Sequence, residues 1–372
     1  MDFTLSPEQQ DASALARRLL TDRCTQARLR EVEAGHARFD IELWKELGTA
    51  GLLGLHLPQE AGGAGLGLLE LCSVAVEAGR VVAPLPLAPH AVAASAIARF
   101  GTPDQVRKWV PAAARGENVL TVALGEDHAD VPERPTTSAE RSGDRWTVTG
   151  TKTVVPSGTV ADLFLVPADT GKGLVVLLVR RDDPGVRIEG QLLNDGDTAA
   201  RLELDRVDLG AERVLGAVGA GSEVTGWLAA RLTVAVCAVQ LGVVEGALEL
   251  TAEYARTREQ FGRPIGTFQA VSQRLGDGYI DVQGVRLTMW QAAWRLSEDL
   301  PAEVEVATAK LWAADTGHKI AHTTVHVHGG VGIDLDGAAH RYFTAAKRHE
   351  LMLGGTTRQA LAVGRALAAE PA

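Results

Sequence analysis

A chain of 372 residues, 46% hydrophobic and 23% charged, is long enough for two or three domains around a large buried core and has the composition of a soluble globular protein. Its formal charge of −10 argues against a nucleic-acid partner. Cys24, Cys72 and Cys237 are odd in number and lie too far apart for a C-x-x-C or zinc spacing, which points to reduced thiols in a cytoplasmic protein without a metal site.

Residues 1–117 read as helical. Ser6-Pro7-Glu8-Gln9 is a helix start, with Ser6 as N-cap, Pro7 at the first helical position and Gln9 reaching back. Glu42 to Leu47 adds a helical turn or two. The glycines between Leu52 and Gly67 match neither G-x-G-x-x-G nor G-x-x-x-x-G-K-[ST], so this stretch is expected to be a loop rather than a phosphate cradle. Leu68 to Ala78 resumes helical spacing, and Pro84, Pro86 and Pro89 are expected to end it. Thr102-Pro103-Asp104-Gln105 repeats the start signal.

From residue 118 the apolar period changes to two. Arg145 to Val155 alternates and is rich in β-branched residues, and Leu163–Val166, Leu174–Val179 and Arg201–Val207 follow between turn residues. With no helices between these strands, 118–217 is expected to be an antiparallel β domain, a sandwich or barrel. From Val218 the helical period returns in four candidates, Glu223–Thr257, Phe268–Leu300, Pro301–His326 and Ala338–Leu353, which suit an antiparallel bundle over 218–372. The longest uncharged run of interest, Leu232 to Val244, has 13 residues, too few to span a bilayer, and is expected to be a buried helix. No secretory signal is read at the start. The fold class is therefore α+β: a helical N-terminal domain, a β domain and a helical bundle.

Two stretches carry chemistry. In Tyr254–Gln269, Arg256, Arg258 and Arg263 gather at a helix end stopped by Gly262, Pro264 and Gly266. Cations there complement the helix dipole, and an arginine fork also suits a pyrophosphate, with Phe261 and Phe268 as apolar walls. The second is His326-Val-His328-Gly329-Gly330-Val-Gly332. His318, His322 and His326 share a helical face, but no glutamate completes an H-E-x-x-H site.

These residues resemble the acyl-CoA dehydrogenase family along essentially the whole chain. Arg258-Glu-Gln-Phe261-Gly262-Arg-Pro-Ile-Gly-Thr-Phe-Gln269 is similar to the motif in which the family's Arg, Phe and Gln contact FAD. His326 to Gly332 is similar to the family's Q-x-x-G-G-x-G turn, with His326 in the place of Gln. The separation of the two motifs agrees with the family without a gap. The resemblance implies FAD as cofactor, held by Arg258, Phe261, Gln269, His326, Gly329 and Gly330 against a neighbouring subunit. It also implies an acyl-CoA substrate, a homodimeric or homotetrameric assembly or a hetero-oligomer with a paralogous subunit, and an electron-transfer flavoprotein as acceptor.

The family's reaction removes an α-proton with a glutamate and passes the β-hydrogen to the flavin as hydride. Here Leu353 stands at the usual glutamate position in ungapped register, and a one-residue slip puts Gly354 there. The earlier position used by some members falls at Leu232. Glu350 and Glu245 are the remaining candidates, each weighed against an ordinary solvated or helix-pairing role. The family's flavin-side tryptophan and threonine fall at Val154 and Pro156, and its Gly-rich segment is shortened to Asp127-His128-Ala129-Asp130. The resemblance thus leaves four readings: a dehydrogenase with a displaced base, a base-lacking subunit of a heteromeric dehydrogenase of the steroid side-chain type, a monooxygenase-like relative, or a cofactor-free structural protein. Arg341, Lys347 and Arg348 resemble the basic segment that precedes the family's catalytic loop, weighed against a plain solvated basic face and given no ligand, and Arg231 is a weak candidate for a CoA phosphate.

Overall fold

Capping chemistry sets where the N-terminal helices begin. The computed structural model describes residues 6–35 and 37–369. Six helices precede the sheet: α1 (Pro7–Arg23), α2 (Gln26–Glu33), α3 (Ile41–Thr49), α4 (Leu68–Arg80), α5 (Leu87–Phe100) and α6 (Pro103–Ala114). Ser6 ahead of α1 and Thr102 ahead of α6 each accept the backbone N–H three residues on, and Gln9 and Gln105 accept the cap's N–H in return. The expected break holds at Pro84 and Pro86, which lie in the link after α4 ends at Arg80, but Pro89 does not belong to it. Helix α5 starts at Leu87 with Pro89 in its first turn, where a missing N–H leaves no bond unmade.

Eight strands form one sheet: β1 (Leu120–Val122), β2 (Ser138–Ser142), β3 (Arg145–Val155), β4 (Leu163–Asp169), β5 (Leu174–Arg180), β6 (Val186–Gly190), β7 (Ala200–Gly210) and β8 (Val214–Leu215). Their order is β6-β7-β3-β2-β4-β5-β8, with β1 paired to β4. The expected all-antiparallel pairing fails at two places: β1 runs parallel to β4 (Leu120↔Leu163), and β2 meets β4 in parallel (Ser138↔Asp169). The β2–β3 hairpin reverses the chain once and the return into β4 reverses it again, so β4 runs the way β2 does. Strands β4 and β5 are buried almost throughout and carry continuous apolar runs.

Five helices follow: α7 (Gly221–Thr257), α8 (Gln269–Ser297), α9 (Glu303–His328), α10 (Ala339–Leu351) and α11 (Thr356–Ala369), with a short hairpin of β9 (Glu259–Gln260) and β10 (Arg263–Pro264) between α7 and α8. Four candidates were expected here; α11 is the addition, split from α10 by Gly354 and Gly355. Helix α7, at 37 residues, is long and apolar enough to cross a membrane, but 78% of its most apolar window is buried in the protein, as in a core helix. Gly79 of α4 and Gly242 of α7 permit backbone contact: an added Cβ would lie 2.0 Å from Val239 O and 1.9 Å from Val76 O respectively.

The chain packs as two units. One joins α1, α4, the end of α7 and α8–α11; the other holds α3, α5, α6 and the sheet. Two polar clusters lie in the core of the second unit. Lys152, wholly buried on β3, donates to Glu126 Oε1 at 2.8 Å, and Glu126 also accepts the backbone and hydroxyl hydrogens of Thr136 and Thr137. Burial raises the Glu126 pKa, but Lys152 and the Thr136 bonds outweigh it and hold it down at about 2. In the other cluster, His90 Nε2 donates to Ala113 O at 3.2 Å while its Nδ1 accepts from Leu120 N at 3.2 Å. His56 Nε2 lies 3.1 Å from Ala91 O, and its buried Nδ1 has no hydrogen-bond partner.

Candidate functional site

Helix α7 ends where the sequence stops it. Arg258 N donates to Tyr254 O at 2.8 Å, and Ile265 N returns to Arg258 O at 2.8 Å across the β9–β10 hairpin. Phe261 sits at the hairpin tip with φ +54 and is 92% exposed, although a left-handed backbone is unfavourable for a bulky residue. Its ring meets Phe268 edge-on at 6.1 Å, and Arg263 lies 4.4 Å over Phe268. Arg256 pairs with Glu253. Arg258 has no ion-pair partner among the described residues, and it and Gln269 are exposed. Of the three arginines read as a cluster, Arg256 is paired with a carboxylate, while Arg258 and Arg263 are exposed without an ion pair among the described residues.

Helix α9 ends in the second motif. His326 is exposed, and His328 is buried against Tyr254, their rings stacked at 4.3 Å and 21°. Gly329 takes φ +64, ψ −141, a conformation that side chains resist, and a Cβ on Gly329 or Gly330 would meet nothing within 4 Å. Packing within the chain therefore does not require glycine at Gly330; an open backbone there suits close approach from outside. Val331, Ile333 and Leu335 follow, 55%, 68% and 73% exposed. A guanidinium without a counter-ion, an exposed aromatic ring and open glycine backbone fit a large anionic ligand with aromatic parts, as FAD is.

Neither candidate carboxylate stands ready as a base. Glu245 is buried between Arg80 and Arg286, and Arg80 also approaches Glu77 Oε2 at 3.4 Å. Burial pushes the Glu245 pKa up, with Arg286 and Arg80 opposing it. Arg17 completes the cluster with a two-pronged contact to Glu77, both bonds 2.9 Å. Glu245 therefore joins α7 to α4 and α8. Glu245→Ala is expected to lower stability by about 3 kcal/mol, because two partly buried arginines lose their partner. Thermal unfolding checks this, and an unchanged melting temperature would contradict the structural role.

Glu350 accepts from Lys347 Nζ at 2.5 Å and lies 3.3 Å from His318 Nδ1. His318 and His322 lie 4.5 Å apart, ring to ring, and His322 meets Phe343 at 5.5 Å. Burial, His318 and Lys347 push the His322 pKa down. Leu353 follows α10 with φ +61, its carbonyl accepting from Gln359 Nε2 at 2.9 Å, and Leu232 is buried on α7.

Several residues depart from expectation. Arg341 and Arg348 are 3% and 7% exposed, not a solvated face; Arg341 Nη1 donates to Gln26 Oε1 at 2.6 Å and Gly337 O at 3.0 Å. Arg231 lies 4.1 Å over the Trp227 ring. Lys310 was not singled out in the sequence. It is fully buried, and its ammonium donates to the carbonyls of His349 (2.9 Å) and Glu350 (3.0 Å), neutralising the C-terminal end of α10 just before Leu353. A lysine inside an apolar helical stretch was its only signal. In the sheet unit, Val154 has φ +50 with its N–H on Gln191 Oε1 at 2.6 Å, and Pro156 O accepts from Thr121 at 2.6 Å.

Three family models match: acyl-CoA dehydrogenase N-terminal domain over 6–117, middle domain over 123–207 and C-terminal domain over 219–368. The chain is 46% identical over 381 residues to acyl-CoA dehydrogenase FadE27 of Mycobacterium tuberculosis, with both chains covered completely. Among solved structures it is similar to a chain of the ChsE4-ChsE5 complex from Mycobacterium tuberculosis, at 47% identity and TM-score 0.95 over all of both chains. It is also similar to a variant of the Tcur3481-Tcur3483 steroid ACAD, at 43% identity and TM-score 0.92, covering 98% of this chain and 99% of that one.

Proposed function

Because the chain belongs to the acyl-CoA dehydrogenase family of FAD-dependent oxidoreductases, we propose that it serves α,β-dehydrogenation of an acyl-CoA thioester as the base-lacking subunit of a hetero-oligomer. The observation that carries this reading is the state of the carboxylates. Leu353 and Leu232 cannot take a proton, Glu245 is held by two arginines, and Glu350 is held by Lys347. A C–H acid needs a positioned base, so a paralogous subunit would supply it. The ChsE4-ChsE5 relative is a complex of two differently named chains, and the Tcur relative is described as a steroid ACAD, which support an unlike partner and a steroid-linked acyl group.

In this reading Arg258 pairs with the FAD pyrophosphate, Phe261 and Gln269 flank the dinucleotide, and His326 with the Gly329–Gly330 backbone lines its far side. When bound, FAD supplies hydride acceptance. Val154 and Pro156 offer neither an aromatic ring nor a hydroxyl to a flavin. The three matched stretches support a division near 1–117, 118–217 and 218–372. Cys24, Cys72 and Cys237 are buried thiols outside any disulfide, which supports a cytoplasmic location. An electron-transfer flavoprotein remains the proposed acceptor.

Two measurements test this. Arg258→Ala is expected to weaken FAD binding about 10- to 100-fold, the worth of one charge-assisted contact; unchanged FAD occupancy would remove the clamp assignment. Second, the chain alone is mixed with acyl-CoA under anaerobic conditions, and the same is done after co-production with a neighbouring paralogue. Flavin bleaching is expected only for the pair. Bleaching by the chain alone would show that it carries its own base.

A further inference from the structure

We propose that Tyr254 and His328 are a positioning pair for the cofactor, their stacked rings holding the Arg258 hairpin and the Gly329–Gly330 turn in fixed relation. This deepens the FAD reading and rests on it. Tyr254 lies one helical turn before Arg258, and its carbonyl accepts the Arg258 N–H at 2.8 Å. His328 directly precedes Gly329. The rings stack at 4.3 Å and 21°, and His328 is 8% exposed. His328 Nδ1 donates to Thr324 O at 2.7 Å, which fixes the ring plane. One turn earlier, Thr251 Oγ1 lies 3.1 Å from Thr324 Oγ1 and 2.6 Å from Ala247 O.

Helices α7 and α9 are thus joined by two rungs, Thr251–Thr324 and Tyr254–His328. Two rungs a turn apart resist a change in the crossing angle of the two helices, which a single contact would allow. Beyond the second rung, Arg258 and Phe261 on one side and Gly329 and Gly330 on the other are exposed. The stack therefore sets the angle between two motifs that must grip one ligand together. Misalignment by a fraction of an ångström costs ligand contacts without costing much burial.

The test uses the full chain in the assembly in which it is purified, stripped of FAD. FAD affinity is read by flavin fluorescence titration, and the melting temperature of the stripped protein is read alongside. His328→Ala is expected to weaken FAD at least about tenfold while the melting temperature stays within a few degrees; His328→Phe and Tyr254→Phe, which keep a stack, should stay within about threefold. Wild-type affinity in His328→Ala, or a loss in His328→Phe equal to that in His328→Ala, overturns the proposal. If His328→Ala does not fold, Tyr254→Leu takes its place with the same expectation and the same overturning result. Arg258→Ala is measured in parallel. If it too binds FAD normally, the clamp assignment itself has failed; if it alone loses affinity, only the positioning role has.

Discussion

Glu126→Ala is expected to cost about 3–5 kcal/mol, the largest single-residue loss anticipated in this chain. The change removes the partner of a lysine with no exposed surface and leaves Thr136 and Thr137 without their acceptor. A buried donor left unmade costs its full desolvation, so the loss exceeds that of any one bond. Glu126→Gln keeps an acceptor oxygen but not the charge, and should fall between wild type and alanine. Denaturant unfolding followed by tryptophan fluorescence measures both. A loss under about 1 kcal/mol for alanine would mean that the cluster only breaks even against its desolvation. The sign with pH follows from a lowered carboxylate pKa: the contribution is present above the unfolded value and is lost as pH falls toward about 2. Mild acid should leave it intact.

Mild acid should instead act through His56 and His90. Burial pushes their pKa values down to about 4 and about 3, His90 being lowered further by His56. A depressed histidine stabilises fully above its unfolded pKa near 6.5 and loses that contribution as pH falls through the window down to the folded value. Two such groups give a loss of about 4 kcal/mol between pH 7 and pH 5. The geometry agrees: a second proton on His90 would point at the Leu120 N–H, and one on His56 would sit on a buried nitrogen without an acceptor. His56→Leu should remove about half of this dependence. Stability measured across pH 7 to 5 checks it, and a flat profile in the wild type would refute the assignment.

What could be read from the sequence was local. The Ser6 and Thr102 caps lie within four residues of their partners, and Gly262, Pro264 and Gly266 keep a helix from resuming directly after α7 ends at Thr257. The two motifs proposed to hold the cofactor were legible through their resemblance to a family pattern, and Arg258 and the Gly329–Gly330 turn are exposed, which the proposal requires. Pro89 misled because a proline ends a helix interior but not a first turn. The parallel course of β1 and β4 was hidden because pairing joins residues 43 apart. Glu245 meets Arg80 across 165 residues and Arg286 across 41, so nothing in its neighbourhood announced the cluster. The Tyr254–His328 stack was hidden in the same way, although both residues stood inside motifs already marked.

Phe261, Val331, Ile333 and Leu335 carry one more consequence. Large apolar side chains this exposed adhere to whatever apolar surface they meet. Under the proposed hetero-oligomer, a copy produced in excess of its partner would leave these side chains uncovered, and the balance of supply between the two subunits would then set the soluble yield.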